Sequence, residues 1–182
     1  MRWERLFDDL EARLLAQDAA ELAAEVAERT RRERAQHGLH VRLAAVRHSG
    51  PITVQVAGLG PVTAVVADVG ADWLLLGTSA ERGALVPFPA VRSVVGLAGR
   101  LTPPTAVARG FGLGSALRAV SRDRAAVTVV DVDGHRWTGT IDAVGEDALD
   151  LAEHARDLPR RTENVTCVRT VPFAAIGAVL RD

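Results

Sequence analysis

The apolar positions of this chain change period near residue 50. From Trp3 to about residue 36 there is no Gly or Pro, and Trp3, Phe7, Leu10 and Leu14 recur at steps of 4, 3 and 4. Leu15, Ala19, Leu22 and Val26 continue at the same steps, displaced by one residue. In a stretch rich in Ala, Leu, Glu and Arg, this spacing predicts one long helix whose apolar stripe passes to a neighbouring face midway, unlike a simple coiled-coil seam. Glu25/Arg29 and Glu28/Arg32 add i,i+4 pairs of the favourable order. Such a helix would be roughly 50 Å long at about 1.5 Å per residue, so part of it should pack on a partner, a second copy or the rest of the chain. Gly38 ends it, as Gly does just past helix termini.

A short helix follows over 39–47, closed by Ser49-Gly50-Pro51. Val and Ile then alternate with small or polar residues between Gly and Pro, which predicts strands at 52–57, 62–68, 72–77, 83–87 and 91–95. After a Pro/Gly-containing linker the pattern returns. It predicts a short helix over 113–121 and strands at 127–132, 136–142, 147–152, 165–171 and 176–180.

The second set is a copy of the first. Residues 52–76 match 127–151 at a constant offset of 75 without a gap. Thr53/Thr128, Val54/Val129, Thr63/Thr138, Val69/Val144, Gly70/Gly145, Asp72/Asp147, Leu74/Leu149 and Leu76/Leu151 are identical pairs. After ten inserted residues, Val86-Pro87-Phe88 meets Val171-Pro172-Phe173. Leu43-x-x-Val46 answers Leu117-x-x-Val120. A repeat of this kind defines the architecture before any motif does. The expected organisation is a helical arm (1–37), a first unit with its leading helix (38–97), a linker (98–112) and a second unit with its leading helix (113–182).

One helix followed by a bent five-stranded meander resembles the Sm-like, SH3-type small barrel. The residues carrying the resemblance are Val127-x-Val129, the Asp133-Gly134 turn, Gly139-Thr140-Ile141 at a bend, the turn Val144-Gly145-Glu146-Asp147, Leu149-x-Leu151, and Val171 to Ile176 as a 3₁₀ connection. The whole chain also resembles an uncharacterised family of actinobacterial proteins. The fold expected from this is α+β, mainly β: a long N-terminal helix followed by two tandem Sm-like five-stranded barrels, each preceded by a short helix. Many Sm-like proteins bind single-stranded RNA, but the base-holding Asn of the eukaryotic type is absent from GEDALDL and GADWLLL. Pro172-Phe173-Ala174 and Pro87-Phe88-Pro89 stand where the bacterial type has Tyr-Lys-His.

Composition narrows the function classes. Hydrophobic residues make up 48% and charged residues 25%, which excludes a disordered chain. All 22 basic residues are Arg, a skew that fits a high-GC genome, and the net charge of −1 leaves no global footprint for a polyanion. The acid-bearing N-terminus is not read as a signal peptide, and no apolar run is long enough to span a bilayer. With a single Cys167, the expected location is cytoplasmic.

No catalytic, metal-binding or cofactor-binding residue is assigned. Asp72 and Asp147, shared by both copies, read as turn residues. His37, His40 and His48 lack companion metal ligands, and Cys167 reads as a small buried hydrophobe rather than a nucleophile. Gly110 to Ser115 lacks the strand before it and the GK[ST] ending of a phosphate loop. Trp73 and Trp137 read as barrel residues. Two sets of surface candidates remain. Trp3, Leu6, Phe7, Leu10 and Leu14 form a docking stripe for a protein partner or for self-association into a homo-oligomer. Arg109, Arg118, Arg122, Arg124, Arg156, Arg160 and Arg161, in the Arg-rich segment and the polar 153–164 insertion, are the candidate nucleic-acid contacts, with RNA as the alternative partner. The chain is expected to be a non-enzymatic interaction or scaffold protein, with a single-stranded RNA-binding regulator as the alternative.

Overall fold

A computed structural model describes residues 17, 20–29, 38–77, 83–97 and 111–181. The chain divides into two compact units, Met1–Gly38 and Leu39–Asp182. In the first, residues 20–29 form a short helix, α1, exposed along its described length, with Gln17 donating to Glu21 one turn on. The long N-terminal helix is therefore corrected to a short one over the described residues. The docking stripe Trp3, Leu6, Phe7, Leu10 and Leu14 lies outside them.

In the second unit, α2 (Leu39–Ala45) precedes β1 (Pro51–Val56), β2 (Gly60–Val69), β3 (Trp73–Gly77), β4 (Gly83–Pro87) and β5 (Val91–Val95). The same succession follows as α3 (Leu113–Arg122), β6 (Ala126–Asp131), β7 (Arg136–Val144), β8 (Ala148–Glu153), β9 (Cys167–Pro172) and β10 (Ile176–Arg181). Strand boundaries fall within two residues of those expected from the alternation. In β1, for example, Ile52, Val54 and Val56 are buried while Gln55 between them is exposed.

The two closed barrels do not form. All ten strands belong to one antiparallel open sheet, ordered β5-β1-β2-β3-β4-β10-β6-β7-β8-β9. A barrel would need each fourth strand to find its own fifth. The three-residue 3₁₀ turns Phe88–Ala90 and Phe173–Ala175 instead send β5 onto β1 and β10 onto β6. The outer side of β4 is then satisfied by β10, through Leu85↔Val179, Ala84↔Leu180 and Gly83↔Arg181. The halves are thus fused into one ladder.

Pairing registers in the two halves coincide at the sequence offset. Thr53 faces Thr63 with their hydroxyls 2.9 Å apart, and Thr128 faces Thr138 at 3.0 Å. The β2–β3 pairing slips between Val66 and Asp68, and β7–β8 slips at the corresponding Ile141 and Ala143. Glycine at 139 has a direct steric reason: a Cβ there would lie 2.0 Å from the Ala152 carbonyl oxygen.

Two apolar clusters fill the unit. The first gathers Leu43 of α2 with Val54, Val66, Leu74, Leu76 and Val86. The second gathers Leu117 of α3 with Val127, Val129, Ile141, Leu149, Leu151 and Ile176, and it also takes Trp73 and Leu85 from the first half. Leu43 and Leu117 are each wholly buried, contributing about 1.5–3 kcal/mol apiece. The hairpin after β1 leans on the second half as well. Gly58, at φ +70°, would place a Cβ 1.8 Å from the Asp131 carbonyl oxygen.

Gly58→Ala should therefore destabilise the protein by about 2–4 kcal/mol, because a left-handed backbone and a main-chain clash coincide. Gly60→Ala, also at positive φ but with nothing within 4 Å of the new methyl, should cost only about 1–2 kcal/mol. Urea unfolding of the two variants checks the difference.

Candidate functional site

Three surfaces of the second unit bring polar and aromatic groups together. The first is a stack on the second half. Trp137 enters β7 two residues after the tight turn, and His135 lies parallel to its ring at 6.1 Å. The Arg169 guanidinium of β9 sits over Trp137, 4.7 Å from the ring centre, and is also paired with Glu153. His135 is held in turn by Asp131, whose Oδ2 lies 2.8 Å from Nδ1 while Oδ1 accepts from the backbone of Asp133 and His135. Burial pushes the Asp131 carboxyl up, but the hydrogen bonds from His135 and Asp133 outweigh it and the net shift is down. Trp137 thus packs half-buried against the second apolar cluster and also carries Arg169 and His135 against its ring. Arg169 and His135 carry no spacing signal, lying 34 residues apart; the local signal was an HRW run opening a strand.

The second surface is an ion-pair hub. Asp142 receives Arg124 at 3.0 Å and Arg160 through both carboxylate oxygens. The Arg160 hydrogen bond is the main reason its carboxyl is held below the usual range, with Arg124 adding to it against partial burial. Arg124, at φ +51° just past α3, also donates to the Ile141 carbonyl. The 153–164 insertion is consequently pinned along the sheet. His154 is buried, with Nε2 2.9 Å from the Thr140 hydroxyl and Nδ1 2.8 Å from the Ala155 carbonyl. Arg156 donates to Thr128 Oγ1 at 2.7 Å, and Asn164 to the Pro159 carbonyl at 2.8 Å.

The third is an open cleft of about 430 Å³ between the halves, lined by Asp72, Ser115, Arg118, Glu146 and Phe173. Asp72 does more than hold its own turn. Its Oδ1 accepts from the Leu113 N–H at 2.7 Å and so caps α3 from the other half. The α3 N-terminus already carries a carboxylate, which disfavours a phosphate there. Trp73 contributes to the same seam by donating from Nε1 to the Phe111 carbonyl at 3.0 Å.

The described candidate nucleic-acid contacts have separate partners, Arg156 on Thr128 among them. Arg109 lies outside the described residues. Arg118 donates to the Gly145 carbonyl at 2.8 Å, Arg122 is exposed on α3, and Arg161 lies 3.9 Å from Glu163. Arg124 and Arg160 both pair with Asp142. Cys167 is exposed on β9 rather than buried as the alternation suggests, and the Glu153 carboxylate beside it pushes its thiol up, away from thiolate character. Among the described residues, no three of His, Cys, Asp and Glu are grouped to hold a metal ion. No helix among them is long and apolar enough to cross a membrane. No family model matches the chain, and neither the curated proteins nor the solved structures contain a match.

Asp142→Asn tests the hub. A carboxylate held below its ordinary range stabilises the fold above the unfolded-state value and loses that contribution as pH falls through the folded one. The variant should be less stable by about 1 kcal/mol at pH 7, and the gap should close below about pH 4. Thermal melts of both proteins across that range check it.

Proposed function

We propose that the chain is a non-enzymatic interaction or scaffold protein of the cytoplasm, and that its working surfaces are the open ends of its sheet together with the Trp3–Leu14 stripe. The observation that carries this reading is the way the ladder stops. β5 and β9 close the sheet with no further strand among the described residues, and the valines nearest those edges are bare, Val95 69% and Val168 60% exposed. An unpaired edge offers a row of N–H and C=O groups to any extended partner, and apolar side chains beside it add affinity. A lone, exposed Cys167 suits a reducing compartment.

A single-stranded RNA-binding role is the second reading, favoured by the Trp137 platform with Arg169 over its face. The net charge of −1 and the commitment of Arg124 and Arg160 to Asp142 weigh against it.

Affinity capture with the full chain should recover a macromolecular partner, its own copy included. Val95→Lys or Val168→Lys should lose that partner with the melting temperature shifted by less than about 3 °C. A partner set indifferent to both edges and to Trp3→Ala would remove the reading. For RNA, anisotropy of a labelled oligo-uridine at about 50 mM salt should show binding that Trp137→Ala weakens about tenfold. Absence of binding at that salt eliminates this reading.

A further inference from the structure

β9 ends the sheet with described residues on both of its flanks, 153–166 leading into it and 173–181 following it. Successive residues of an antiparallel strand turn their N–H and C=O groups to opposite sides. The Phe173 N–H points inward, to the Asp147 carbonyl at 2.7 Å, and this continues the register in which Pro172 faces Ala148 and Cys167 faces Glu153. Val171, Arg169 and Cys167 therefore bond inward to β8, while Pro172, Thr170 and Val168 face outward. Pro172 has no N–H, which is why a proline is tolerated there. At the other end the Thr166 N–H is already committed inward, to the Glu153 carbonyl at 2.9 Å. The free edge thus carries two residues with both donor and acceptor available, Val168 and Thr170.

Such an edge is complementary to itself in one register. With β9 laid antiparallel on a second β9, Val168 of each copy faces Thr170 of the other, and every outward N–H of the two residues meets a carbonyl. Sliding the pairing one way puts Thr170 opposite Thr166, whose N–H is turned inward. Sliding it the other way puts Val168 opposite Pro172, which has no N–H. We infer that the chain associates with a second copy of itself through this edge, as a two-fold dimer with the Arg169 residues of the two copies opposed at the axis. This rests on the interaction-protein reading and names the partner for one of its edges.

The side chains leave room for this occupant. Arg169 reaches back across β8 to the Trp137 ring of β7, 4.7 Å from its centre, and pairs with Glu153. The Thr170 hydroxyl donates inward to Asp150 of β8 at 2.7 Å. What stands bare beside the edge is Val168, 60% exposed, and the two-fold covers it in both copies at once. The opposed Arg169 residues work against the joint, as like charges across a strand pair do. Each guanidinium is neutralised within its own chain, so the repulsion weakens the pairing without forbidding it. Four backbone hydrogen bonds and one valine from each copy make a small interface, and the dimer is a weak, concentration-dependent one.

Cysteine cross-linking of the full chain in a Cys167→Ser background reads the register. Opposed residues of antiparallel strands have Cα atoms about 4.5–5.5 Å apart, within disulfide reach. Arg169→Cys alone should oxidise to a covalent dimer. Val168→Cys and Thr170→Cys should link well only when mixed, and these two exposed positions keep the test open if Arg169→Cys fails to fold. Val168→Pro is the second readout. It removes an outward N–H and no bond to β8, so the melting temperature should move by less than about 5 °C while the self-dissociation constant rises about tenfold. A light-scattering mass that stays at the 19.3 kDa of one chain up to millimolar concentration overturns the inference. So does a larger assembly indifferent to the cysteine pairs and to Val168→Pro. That second outcome leaves the interaction-protein reading standing, since association would then run through other surfaces.

Discussion

Everything in the Leu39–Asp182 unit depends on the short backbone ladder between β4 and β10. Three residue pairs, from Leu85↔Val179 to Gly83↔Arg181, join two five-stranded halves into one sheet. Each half spans roughly 60 residues, a size at which a core of its own is only marginal. The joint answers that shortfall by letting the halves share apolar residues: Trp73 and Leu85 belong to the first half by sequence and to the second by packing. It also explains why closure fails. A strand has two hydrogen-bonding sides, and once β10 has β6 on one and β4 on the other, neither half has a strand left with which to close.

This is also the line between what was legible in the sequence and what was not. Alternation of Val and Ile located ten strands to within two residues, and the constant offset anticipated that their registers would correspond, down to the paired slips at Val66/Asp68 and Ile141/Ala143. Alternation records which face of a strand is buried, however, and not which neighbour lies along its edge. Nothing in GALVP distinguishes an edge bonded to its own barrel from one bonded to the other half. The usable signal lay in the differences between copies: Trp73 against Ala148, Leu75 against Asp150, Leu85 against Thr170. One copy is apolar where it meets a neighbour, and the other is polar where it meets water.

Side-chain roles show the same limit. Asp72 and Asp147 are identical in the repeat and do the same backbone work, their carbonyls accepting from Phe88 at 2.8 Å and Phe173 at 2.7 Å. Only Asp72 has a helix start beside its carboxylate, so only Asp72 caps one. The hub at Asp142 has no sequence signature, because its two arginines lie 18 residues away on either side and isolated Arg residues in a loop read as free cations. Trp137 was visible, but the Arg169 that makes it a platform comes from two strands away.

The polarity of the outer edges bears on solubility as much as on association. A long flat edge of unmodified apolar strand would pair indiscriminately, and sheets avoid this with charges on or beside the last strand. β9 carries Arg169 locked to Glu153, with Asp150 behind it, and β5 carries Arg92. These groups hinder a neutral apolar strand, which would strand a carboxylate or guanidinium without water or partner. They hinder least a strand that arrives with the opposite charge already in register. The substitutions that blunt the edge are therefore the same ones that give it selectivity, and an edge need not be either sticky or inert.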